Sequence, residues 1–131
     1  MSGNDLSQKV KSPVFRIFDA YRGAHNNFFP ELVEVLTDKE KSISGEEVLF
    51  RAGLIDGIAG KEHALSMFWS HEGIPPAWMK YSLLFPDDIH TDEHGNKSIL
   101  CLMWIGGVCC LTFKELKSEF SQMYRLVRLH R

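Results

Sequence analysis

Two apolar, β-rich runs separated by a Gly-Gly pair constrain this chain more than any other stretch. The first is Ser98-Ile99-Leu100-Cys101-Leu102-Met103-Trp104-Ile105, the second Val108-Cys109-Cys110-Leu111-Thr112-Phe113, and Gly106-Gly107 lies between them. Both central residues of a type I′ turn need positive φ, which glycine adopts without strain, so the pattern predicts a tight β-hairpin at the centre of the fold. Neither run alternates apolar with polar residues. Both faces of the hairpin must therefore be covered.

Helical patterns supply the expected cover. Ser12-Pro13 reads as an N-cap and first helical residue, with Val14, Ile17, Phe18 and Tyr21 on one face of a helix over 13–22. Pro30 is read as the start of a second short helix carrying Leu32, Val33, Val35 and Leu36. Ser44-Gly45-Glu46-Glu47 has the form of a capping box and opens a third helix, about 46–58, with Val48, Leu49, Ala52 and Ile55 inward. After a turn at Ala59-Gly60, a fourth helix over 61–72 carries Leu65, Phe68 and Trp69. Gly73-Ile74-Pro75-Pro76 stops it, because glycine closes a helix and proline cannot continue one.

Residues 80–85 read as a strand leading toward the hairpin, and the polar stretch 86–97 as an exposed loop. Over 113–129, Phe113, Leu116, Phe120, Met123 and Val127 recur at spacings of three and four, with Tyr124 widening the stripe, which predicts a closing helix. The expected architecture is α+β: a helical N-terminal half packed on a small antiparallel sheet with the Gly-Gly hairpin, closed by a C-terminal helix. It spans 1–131 as a single domain, with the polar residues 1–11 expected to be disordered. A chain of 131 residues, 44% hydrophobic, buries enough surface to fold without a disulfide or metal.

Charge narrows the partners. A net charge of −2 gives no general attraction to nucleic acid or to an anionic membrane, so such binding would need a local basic patch. The best candidate is the tail, where Arg125, Arg128 and Arg131 fall within seven residues, although a basic last helical turn also complements the helix dipole. No apolar run reaches the ~18 residues that would span a bilayer. The opening residues lack a signal-peptide core, and the three cysteines sit inside apolar strands, so a reducing, cytoplasmic setting is expected.

Chemistry has little support. Asp87-Asp88-Ile89-His90-Thr91-Asp92-Glu93-His94 offers two imidazoles and several carboxylates, but in a segment read as a solvated loop with no second ligand cluster. His63 and His71 stand two helical turns apart, roughly 12 Å along the axis, too far to share one ion. Cys101, Cys109 and Cys110 are read as small buried hydrophobes. No nucleophile with a base, phosphate-cradling loop or dinucleotide motif is present, so neither enzymatic activity nor a cofactor is expected.

The primary expectation is a non-enzymatic regulator or inhibitor that binds a protein, of the immunity-protein, chaperone or adaptor kind. Its binding residues would be Trp78, Met79 and Tyr81, which follow a rigid Pro-Pro turn, with Asp87 and Asp88 beside them; aromatic and Met side chains are enriched at interface cores. The alternative rests on the helix pair over 46–72, which resembles a helix-turn-helix DNA reader with its second helix in the major groove. That resemblance implies Lys61 and His63 at the DNA, with Arg125, Arg128 and Arg131 on phosphate. Lys61 is the second helix's only permanent cation, which weakens this reading. A homodimer through a strand edge or the last apolar stripe would suit it.

Overall fold

The computed structural model describes residues 29–130, so the helix expected over 13–22, the expected disorder of 1–11 and the position of Arg131 lie outside the described residues. In chain order these residues form β1 (Phe29–Glu34), β2 (Ser42–Ser44), α1 (Gly45–Ala52) and α2 (Lys61–Trp69). Two 3-10 turns, His71–Gly73 and Pro76–Trp78, lead into β3 (Ser82–Thr91) and β4 (Lys97–Ile105). β5 (Val108–Glu115), β6 (Glu119–Ser121) and β7 (Tyr124–His130) complete the chain.

Gly106 and Gly107 take φ of 57° and 82°, and the hairpin they close pairs β4 with β5 in unbroken register from Ile105↔Val108 to Ser98↔Glu115. It forms one side of a five-stranded mixed sheet ordered β1-β7-β3-β4-β5, in which only β3 and β7 run parallel. A separate ladder joins β2 to β6.

The expected helical first half packed on an antiparallel sheet, closed by a C-terminal helix, is therefore corrected. Residues 29–34 form an edge strand: Pro30, read as a helix start, sits opposite Leu129 where a missing N–H is tolerated. The stretch read as a closing helix contains the end of β5, then β6 and β7. Leu126 and Leu129 fall off the supposed helical stripe but are buried with Val127 in the sheet, as a strand covered on both sides requires. The segment read as a loop is strand as far as Thr91, and the turn is confined to Asp92–Asn96, closed by Gly95 N–H to the Asp92 carbonyl at 3.0 Å.

Alternation along the strands sorts the core into two layers. Leu83, Phe85, Leu100, Leu102 and Val127 face one side, together with Ala64 and Met67 of α2. Leu84, Ile99, Cys101 and Leu126 face the other, with Val48 and Ala52 of α1 and with Ile43 and Phe120 of the small ladder. The two helices thus cover opposite faces of one sheet and do not form a helix-turn-helix pair.

α1 is eight residues long, shorter than expected, and Ser44 caps it as its sequence indicates, accepting from the Glu47 N–H at 3.2 Å. Where α2 begins is set by a break in the sheet. β3 follows β7 only through Leu84, and Pro86 offers no N–H to carry the ladder on. Residues 57–59 take the place beside β7: Ala59 N–H donates to the Val127 carbonyl and Leu129 N–H to the Gly57 carbonyl, each at 2.7 Å.

Candidate protein-binding surface

From that inserted segment the chain turns into α2. The Asp87 carboxylate on β3 accepts from the Lys61 N–H at 3.0 Å, caring for one of the helix's unpaired first-turn donors. Gly60 is needed here because a Cβ at this position would collide with that carboxylate. Ala64 and Met67 then bury one flank, and His63 is half-buried with its Nδ1 3.3 Å from the Gly60 N–H. Burial lowers the pKa of His63, with Glu62 and Asp87 pulling the other way. The opposite flank is apolar and open. Leu65 is 40% exposed and Trp69, one turn later, is 73% exposed, with its ring edge-on to Phe68.

Beside this flank lies a groove of about 400 Å³, walled by Lys61 and Leu65 of α2, Ile89 and His90 of β3, and Leu111 and Phe113 of β5. The His90 ring stacks on Phe113, whose outer half remains in solvent. β5 is the last strand on its side and pairs with β4 alone among the described strands. At its hairpin tip Ile105 and Val108 are exposed too. The flank, the groove and the side chains of the outer strand make a largely apolar surface, into which Lys61, His90 and Thr91 bring polar groups.

Burial pushes the Cys101 thiol up to about 12 and the Cys109 thiol up to about 11, far from a reactive thiolate. Among the described residues no three His, Cys, Asp or Glu side chains gather where an ion could sit. Asp92 is engaged in its own turn, accepting from the backbone N–H groups of His94 at 2.8 Å and Asn96 at 2.9 Å, and the Asn96 bond leads in lowering its pKa.

The residues expected at a protein interface are distributed differently. Trp78 and Tyr81 are half-buried against the α2-side core. The Arg125 guanidinium lies 4.3 Å from the Tyr81 ring centroid. Asp87 caps α2, Asp88 lies within β3, and Met79 stays exposed. Of the residues expected on DNA, Lys61 and His63 lie on α2, whereas Arg125 and Arg128 belong to β7 inside the sheet. Arg125 donates to the Gln122 and Tyr124 carbonyls, and Arg128 lies 3.8 Å from Glu31. The geometry brings these cations onto no common helical face.

Trp69 and Phe113 are not among the residues expected at an interface, because in the sequence each falls in an apolar helical stripe. One signal was available: over nine residues α2 carries Ala64, Leu65, Met67, Phe68 and Trp69, more apolar side chains than one buried flank can hold. Neither a family model nor a curated protein nor a solved structure matches the chain.

Proposed function

We propose that this chain is a non-enzymatic protein-binding module of regulatory or inhibitory kind, whose partner docks along the outer flank of α2. The observation that carries the reading is the exposed pair on one flank of α2, Trp69, 73% exposed, and Leu65 one turn before it, the latter also lining the neighbouring groove. Tryptophan anchors are enriched among residues that dominate binding energy, and an open aromatic beside a preformed groove gives a partner side chain both a wall and a floor.

The test is affinity capture from the native cell with the intact chain and with Trp69→Ala, after confirming equal melting temperatures. One protein held in near one-to-one amount by the native chain, and lost by at least tenfold in the variant, is the expected outcome. Capture of nucleic acid that falls steeply with salt, or of a protein indifferent to Trp69, would defeat the proposal.

A further inference from the structure

We infer that β5 is a self-association edge: two copies of this chain pair antiparallel along it and join their sheets into one. A two-residue hairpin makes Ile105 and Val108 a mutually bonded pair, so Val108, Cys110, Thr112 and Lys114 direct their backbone groups to β4. The same parity continues past the strand, where Leu116 N–H donates to the Lys97 carbonyl at 2.9 Å. The N–H and C=O groups of Cys109, Leu111 and Phe113 therefore point outward, where no described strand stands.

Strands left open in this way are normally protected by a proline, a bulge or an outward lysine. β5 has none of these. Its register with β4 is unbroken, and its only lysine, Lys114, is folded back, with the ammonium 5.0 and 5.1 Å from the Phe120 and Tyr124 ring centroids. Residues 107–113 carry no charge at all.

A second copy fits this edge because the edge complements itself. Pairing centred on Leu111 sets Cys109 against Phe113 of the second copy, Cys110 against Thr112, and Val108 against the Lys114 stem, with no like charges opposed. Such a pair is related by an axis normal to the sheet, so both α2 helices lie on the same side. The paired residues run from Val108 to Lys114, roughly 23 Å of strand, a short joint next to the ~1,200 Å² and more that stable interfaces bury, so the dimer is reversible.

This inference needs no partner protein, so its test is separate from that of the binding function. Sedimentation equilibrium of the full chain should show a monomer–dimer equilibrium that Phe113→Lys shifts at least tenfold toward monomer. Thr112→Lys, at an exposed position, should act alike by bringing two ammonium groups to the joint, which covers any folding defect in the first variant. Thr112→Cys should form a disulfide-linked dimer with native Cys110 on mild oxidation, and Phe113→Lys in the same chain should suppress it. A strict monomer up to millimolar concentration, or a dimer unaffected by both lysines, overturns the inference.

Discussion

The imidazole of His90 lies on the ring of Phe113, with centroids 4.7 Å apart and planes 29° from parallel. The contact spans β4 and ties the end of β3 to the outer strand, yet half of Phe113 remains in water. Phe113→Ala should therefore cost only about 1 kcal/mol, the worth of a stacked pair and a partly covered ring. Phe85, fully enclosed beneath α2, should cost about 3–5 kcal/mol on the same change. Urea denaturation of the two variants makes the comparison, and equal losses would show that Phe113 belongs to the core.

Gly60 and Asp87 form a lock at the start of α2, and the lock predicts coupling. Asp87→Ala removes the cap on the Lys61 N–H and should cost about 1 kcal/mol. Gly60→Ala should also destabilise, since the new methyl group must displace the Asp87 carboxylate. With Asp87 already replaced by alanine, the glycine substitution should become close to harmless. A thermal-unfolding double-mutant cycle reads this as clear non-additivity; simple addition would mean that the carboxylate does not press on Gly60.

What could be read from the sequence was what local chemistry dictates. The Gly106-Gly107 turn and the Ser44 cap each depend on a few neighbouring residues. The helix expected to run over 61–72 and close at Gly73 instead ends at Trp69 with Ser70 as its cap, and Gly73 does not take a positive φ. What failed was set at a distance. Pro30 begins a helix or blunts a sheet edge depending on whether β7 lies beside it, about a hundred residues on. The run 113–129 fits a helical period by counting, and only the neighbours of β7 on both sides make Leu126 and Val127 core together. The surface suffered likewise: Trp69 and Phe113 look like core side chains until α2 turns Ala64 and Met67 inward and β5 becomes the last strand.

Glu40 gives the fold an acid-sensitive clasp. Both of its carboxylate oxygens accept from the Arg51 guanidinium at 2.7 Å, and one also accepts from the Thr37 N–H at 2.8 Å. The Arg51 bonds first, and then the Thr37 bond, hold its pKa at about 2 against an ordinary 4.5. Because the folded value is the lower one, the stabilisation is complete above pH 4.5 and fades as the pH falls toward 2. Glu40→Gln should lower the urea midpoint at pH 7, with the gap to the native chain narrowing between pH 4.5 and 2. A gap that stays constant over that range would show that the carboxylate charge contributes nothing.

Two tryptophans nine residues apart should respond oppositely to removal. Trp78 follows the Pro75-Pro76 turn and packs against the core beneath α2, so Trp78→Ala leaves a cavity and should cost about 2 kcal/mol. Trp69 caps nothing and is largely surrounded by solvent, so Trp69→Ala should change stability by no more than about 0.5 kcal/mol. Binding should divide the other way, with the partner lost at Trp69 and retained, once corrected for the folded fraction, at Trp78. Measuring melting temperature and partner affinity on both variants places each tryptophan in the core or at the interface. If Trp78→Ala abolished binding with its melting temperature unchanged, the interface would lie on the Pro-Pro side and not along α2.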